Sequence, residues 1–160
     1  MELRLRPVRD DELPAFVEHG RREYARGMVE EAGLPRERAE AKAASDYEQL
    51  LPGGKVQPGH SISVLEDADS GDVLGRLWWA ERQPPDGGPS RAYLYDVEID
   101  ERFRGQGLGR RAMELLEEDV RRRGLPGIDL NVWGGNEIAR SLYRSLGYDE
   151  CAVFMAKELE

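Results

Sequence analysis

Between residues 99 and 112 the chain passes from a strand-like run into a helix-like one through Arg104-Gly105-Gln106-Gly107-Leu108-Gly109. No other segment limits the available folds as much. Three glycines within five positions let the backbone take positive φ and present its amides closely to a ligand. A helix that opens here has N–H groups without internal partners and the positive end of its dipole at the turn, an arrangement that favours phosphate. Residues 101 to 111 add four arginines, at 102, 104, 110 and 111, against the one acid Glu101, a local charge of +3. The whole chain carries −9. An acidic molecule with one basic island points to a small anionic ligand, because its net charge repels nucleic acid and anionic membranes.

The elements around this turn follow from apolar periodicity and turn residues. Leu3, Leu5 and Val8 read as a first strand. A helix over 11–31 follows, with Asp10 as cap and Pro14 in its first turn, then a second from Pro35 to Leu51, closed by Pro52-Gly53-Gly54. Ser61–Glu66 and Val73–Glu81 form a hairpin across Asp69-Ser70-Gly71-Asp72, and a Pro/Gly-rich connection leads to a fourth strand, Ala92–Ile99. From there strands and helices alternate. Leu108, Ala112, Leu115, Leu116 and Val120 stripe a helix ended by Gly124. Ile128–Trp133 is a fifth strand, Ile138, Leu142 and Leu146 are the core face of a last helix, and Tyr148–Leu159 is a sixth strand.

The order implies one α/β domain over residues 1–160 with a mixed sheet, a length that buries about two thirds of the unfolded surface around one core. No apolar stretch approaches the roughly 20 residues of a membrane span. The N-terminus lacks the features of a signal or transit peptide, so a cytoplasmic location is expected. Cys151 has no disulfide partner, and with His19 and His60 the only histidines no metal site is expected.

Two readings compete with a ligand loop at the glycine turn. One is a turn that merely connects strand to helix. The other is a Rossmann fingerprint, which needs a third glycine where Arg110 stands and an acid at the end of the next strand, where Asp129 instead lies inside it. The run Ile99-Asp100-Glu101-Arg102-Phe103-Arg104-Gly105-Gln106-Gly107-Leu108-Gly109 resembles the coenzyme A loop of the GNAT superfamily of acyl-CoA-dependent N-acetyltransferases, with its Arg/Gln-x-x-Gly-x-Gly/Ala pattern. A second segment, Asn136, Ala139, Tyr143 and Leu146-Gly147-Tyr148, resembles that family's Asn-x-x-Ala-x-x-x-Tyr-x-x-x-Gly-Phe/Tyr segment. The resemblance covers roughly residues 92 to 158.

The resemblance implies a GNAT-like fold: a mostly antiparallel six-stranded sheet, splayed between strands 4 and 5, with about four helices on both faces. It implies transfer of an acetyl or similar acyl group from acetyl-CoA to an amine of a small molecule or peptide, by direct attack. Backbone groups of Val97, Glu98 and Ile99 would pair with the pantetheine. Arg104, Gly105, Gln106, Gly107, Leu108, Gly109 and Arg110 would cradle the diphosphate. Asn136 would bond the pantetheine arm, Ala139 would leave it room, and Tyr143 would protonate the departing sulfur. Positions 136, 139 and 143 share one helix face, as a common site requires.

An alkylamine with a pKa near 10.4 is protonated at pH 7, and freeing its lone pair costs about 4 to 5 kcal/mol. Asp96 and Glu98 are the candidate bases. Strict alternation puts them on one face of the strand and Tyr93, Tyr95, Val97 and Ile99 on the other, unless a bulge reverses the register; a water chain is the alternative base. Cys151 is expected to be a buried core thiol and a bystander. Asn131 stands where many ribosomal-protein N-terminal acetyltransferases of the superfamily carry glutamate, which lowers that assignment. The 13 residues after Gly147 are too few for a final hairpin, so the acceptor site is either more open or completed by a second subunit, as in a homodimer. Tyr24, Tyr47, Trp78 and Trp79 are candidate acceptor-lining residues, and the acidic surface favours a cationic acceptor such as a polyamine, an aminoglycoside-like compound or a peptide amine. The lack of a clear base leaves one alternative of another class, a catalytically silent CoA-binding regulatory or interaction module; a nicotinamide or flavin nucleotide protein is a third.

Overall fold

A strand run as apolar as Leu74–Ala80 needs cover on both sides, and the helices supply it. A computed structural model describes residues Met1–Glu160. Strand β1 (Leu3–Pro7) leads to α1 (Leu13–Ala32) and α2 (Arg36–Leu50), then to β2 (His60–Asp67), β3 (Val73–Arg82) and β4 (Arg91–Ile99). Helix α3 (Leu108–Arg122), β5 (Ile128–Leu130) and α4 (Glu137–Ser145) complete the series. The sheet order is β1-β2-β3-β4-β5. All neighbours pair antiparallel except β4 and β5, which run parallel across α3.

Trp78 faces one side of the sheet, packing with Leu13 and Phe16 of α1 and Tyr47 of α2. Leu77 and Trp79 face the other, against Met113, Leu116 and Val120 of α3, with Leu142, Tyr143 and Leu146 of α4 at the margin. The apolar stripe read along α3 is therefore its buried face. Helix α1 stops at Gly33, whose φ of 70° is open to glycine and whose N–H bonds the carbonyl of Val29 at 3.2 Å.

The sheet has five strands, not six. Residues Tyr148–Leu159 form no strand, and β5 ends at Leu130 rather than Trp133. Strand β5 pairs with β4 over only three residues before the two strands part, which ends it at Leu130, and residues 148–159 form no ladder with its other edge. Cys151 is exposed, not buried, because it lies on this unpaired segment. Ile138 is 89% exposed, so the inner face of α4 is Leu142 and Tyr143, followed by the capping residue Leu146.

Close approach of β3 to β4 depends on Gly75, which pairs with Ile99. A Cβ there would lie 2.2 Å from the backbone oxygen of Glu98. Gly75→Ala is expected to lower stability by about 1–3 kcal/mol or more, since backbone cannot yield as a side chain can. Urea unfolding measures it, and an unchanged midpoint would contradict the packing.

Candidate active site

The register of β3 on β4 slips at one point. Trp78 stands opposite Asp96 and Trp79 opposite Leu94, which leaves Tyr95 as an extra residue. This bulge breaks the expected alternation: Tyr95 packs with the α1–α2 core, Tyr93 stacks edge-on against it, and Asp96 and Glu98 turn to the same face. Leu94, Val97 and Ile99 face α3. Of the four residues expected opposite the acids, the two tyrosines thus lie with them, and only Val97 and Ile99 oppose them.

The parallel ladder ends at Leu94 and Leu130, and a cavity of about 160 Å³ opens where the strands separate. Strand β4 contributes Leu94 to Val97 to its wall, residues 130–133 form the opposite side, and α4 closes it with Asn136, Ala139 and Tyr143. Asp96 comes from the α1–α2 side of the sheet and Tyr143 from the α3 side, and the splay lets both reach one space. Asn136 caps α4, its Oδ1 accepting from the N–H of Ala139 at 3.1 Å.

Burial raises the pKa of Tyr143, with the negative charge of Asp96 adding to it, so the phenol keeps its proton at neutral pH. Its hydroxyl makes no hydrogen bond within the protein and is not sealed from the cavity. Asp96 is raised by burial, Arg76 pulls it down, and the charge of Glu98 pushes it up. Its Oδ2 accepts from Nε of Arg76 at 2.8 Å. Arg76 is 7% exposed: Nη2 donates to the carbonyl of Phe16 at 2.7 Å, and the guanidinium lies 3.4 Å from the Phe16 ring centroid. Gly20 makes room for this group, since a Cβ there would approach Nη2 of Arg76 to 2.6 Å. Glu98 lies outside the cavity, with its carboxylate 3.0 and 3.1 Å from Nε2 of His19. The structure thus separates the two acids.

The glycine turn sits at the start of α3. Gly105 and Gly107 have φ of 78° and 77°, and nothing lies within 4 Å of the place a Cβ would take at either. No protein carbonyl receives the N–H groups of residues 105 to 110, leaving a row of free donors that includes those of Gln106 and Leu108. Arg104 braces the turn, its Nε donating to the carbonyl of Ile99 at 2.9 Å. Gly109 faces Leu142 of α4, 3.4 Å from its would-be Cβ, and Arg110 bonds Ser145 on the same helix, so these two tie α3 to α4. The row of amides and the open edge of β4 beyond Leu94 fit a diphosphate joined to a peptide-like arm.

Of the aromatic residues expected at the acceptor site, Tyr47, Trp78 and Trp79 are buried in the core, and Tyr24 donates to Asp46 at 2.8 Å. None lines the cavity. Trp133 does, and it also walls a second groove of about 470 Å³ between α1 and the start of α4. Glu23, Glu30, Glu31 and Glu137 line that groove beside a single arginine, Arg26, which is bonded to Glu23 and Glu30. Arg76, His19 and Trp133 were not singled out from the sequence. Arg76 had a signal, as the one charge inside the apolar run Val73–Ala80.

No helix is long and apolar enough to cross a membrane. The family described as "Acetyltransferase (GNAT) family" matches residues 18–148. An uncharacterized N-acetyltransferase of Bacillus subtilis, YycN, is 29% identical over 160 residues, covering 99% of this chain and 100% of the relative. Its crystal structure superposes with a TM-score of 0.89 over 99% of both chains at 28% identity. An acetyltransferase of Clostridium acetobutylicum, solved with acetyl-CoA, shares the fold at a TM-score of 0.66 and 12% identity, over 98% of this chain and 96% of that one.

Proposed function

Because this chain belongs to the acetyltransferase (GNAT) family, an acetyl-CoA-dependent family of N-acetyltransferases, we propose that it acetylates a cationic amine that enters between α1 and α4. One observation carries this reading: a single cavity at the sheet's splay is lined by both the carboxylate of Asp96 and the phenol of Tyr143, a pair suited to accept and to donate a proton.

Acetyl-CoA supplies the activated thioester. The free amides at residues 105–110 take its diphosphate, and Arg104 keeps the turn in shape. The bared edge of Tyr95 to Ile99 pairs with the amide groups of the arm, and one of these N–H groups polarises the carbonyl. Asn136 and Ala139 hold the arm against α4. The acids of the groove draw in the protonated amine, Trp133 covers its path, and Asp96 removes the proton so that the nitrogen attacks directly. Tyr143 protonates the leaving sulfur. Cys151, exposed on the C-terminal segment, has no part in the chemistry.

Acetyl-CoA at a hundred times its dissociation constant is expected to add about 2.7 kcal/mol of stability, a rise in Tm of roughly 5–10 °C. Arg104→Ala should weaken its binding about tenfold, which is ~1.4 kcal/mol. Calorimetric titration gives the affinity, and release of free CoA thiol across a panel of amines identifies the acceptor. No heat with acetyl-CoA would overturn the proposal; tight binding with no thiol release from any amine would favour a silent CoA-binding module.

A further inference from the structure

Beside the cavity, on the α1–α2 side of the sheet, several hydrogen-bond donors have nothing to donate to. Arg82 closes β3 there and is exposed, with its guanidinium carbon 4.1 Å from the ring centroid of Tyr93. Burial raises the Tyr95 phenol and the charge of Arg82 pulls it back, which puts the guanidinium beside that hydroxyl. The hydroxyl of Tyr95 makes no hydrogen bond within the protein and is not sealed from solvent. The ring of His60 stacks on Tyr95 at 5.9 Å and 11°. Its Nδ1 lies 3.0 Å from Nε1 of Trp78; an indole only donates, so Nδ1 accepts and the ring proton sits on Nε2, which no protein atom receives. Burial lowers the pKa of this histidine and keeps it neutral.

No acid of the chain completes the group. Alternation turns Glu81 to the other face of the sheet, and Asp46 of α2 is held by Tyr24 and Lys42 at 2.8 and 2.9 Å. The donors nevertheless border the candidate active site. Tyr95 and Asn131 line the cavity with Asp96, and Asn131 donates to the hydroxyl of Tyr93. From Tyr93 to Asp96 is at most about 10 Å of strand. The site therefore has two electrical ends: Asp96 and the glutamates between α1 and α4 suit a cation, while Arg82, Tyr95 and His60 suit an anion.

We propose that the acceptor is an amino acid whose primary amine and carboxylate are separated by a flexible chain of up to about 10 Å, the amine at Asp96 and the carboxylate on Arg82, Tyr95 and His60. This rests on the acetyltransferase reading and narrows its acceptor. One planar cation with two neutral donors matches a single charge, and a molecule of net charge −9 disfavours a dianion such as phosphate. The contact with Tyr93 holds the guanidinium in place before the ligand arrives, so less freedom is lost on binding. A diamine, by contrast, would set its second charge against an unpaired arginine. Arg82 is thus a specificity-determining residue, apart from the atoms that react.

Three probes test this: 6-aminohexanoate, hexylamine and 1,5-diaminopentane, which carry a carboxylate, a methyl or an ammonium on the same amine-bearing chain of five methylenes. Each is titrated calorimetrically into protein saturated with CoA. The native protein is expected to bind 6-aminohexanoate about tenfold or more tighter than either of the others, as hydrogen bonds to a charged group imply. Arg82→Ala should bring it down to the level of hexylamine, and Arg82→Lys should recover part of the difference. Equal affinities, a preference for the diamine, no binding of any probe, or a carboxylate preference that survives Arg82→Ala overturns the proposal. Uptake of CoA, measured first, keeps the two readings apart. Its absence would sink the acetyltransferase reading, whereas CoA uptake without a carboxylate preference sinks this inference alone.

Discussion

Tyr143→Phe is expected to lower kcat by about two orders of magnitude or more, the usual worth of a positioned general acid. Acetyl-CoA affinity should change by no more than about twofold, because the ring that packs beside the sheet is retained and the lost group acts on the leaving sulfur only as the bond breaks. The hydroxyl has no partner in the protein to compete for its proton, and burial keeps that proton in place at neutral pH. A thiol leaving group has a pKa near 8.5, below that of tyrosine, so full proton transfer to the thiolate is uphill by about 2 kcal/mol or more, and the phenol acts first as a hydrogen-bond donor to the charge developing on sulfur. The high-pH fall in rate should lie above the ordinary phenol range in the native enzyme and be lost in the variant. Single-turnover kinetics separate chemistry from release; a variant with full single-turnover rate would remove Tyr143 from the reaction.

The elements that act through repeated local patterns were legible in the sequence. The stripe Leu108, Ala112, Leu116 and Val120 is the buried face of α3, and the turn at Gly105 and Gly107 has the left-handed backbone its glycines allow. What was not legible depends on one-residue shifts or on distant neighbours. Period-two reasoning has no means of placing the extra residue at Tyr95, and that residue decides which face carries the tyrosines and which acid reaches the cavity. Glu98 and Asp96 look equivalent in sequence. The packing of α1 separates them, giving Asp96 to Arg76 and Glu98 to His19. Trp133 lies past the end of β5 on a loop, where an apolar residue read as strand instead becomes a wall between two cavities. The C-terminal segment has every local feature of a strand, but strand formation needs a partner edge, which no local pattern encodes.

Asp96→Asn is the second substitution expected to cost about 10²-fold or more in kcat, and its test lies in the pH profile. A base works only when deprotonated, so the native rate should rise with pH through a value above the usual aspartate range, set by burial and offset by Arg76. In the variant that limb should vanish, leaving a slow rate that follows the titration of the amine itself. The raised pKa also means that the fold binds this proton more tightly than the unfolded chain does. Its contribution to stability is thus present at acid pH and lost as pH rises through the raised value. The substitution strands Arg76 in a buried place, and breaking such a pair typically costs about 3–5 kcal/mol, less here because the Asp96 side chain retains some solvent contact. Arg76→Met/Asp96→Asn separates the two effects by removing both charges together. Stability should recover in this double variant while activity does not; recovery of the rate along with the fold would make Asp96 a partner for Arg76 and nothing more. Glu98→Gln, which removes the contact to His19 and one of the charges that raise Asp96, should change kcat no more than a few-fold, as expected of an acid that does not line the cavity.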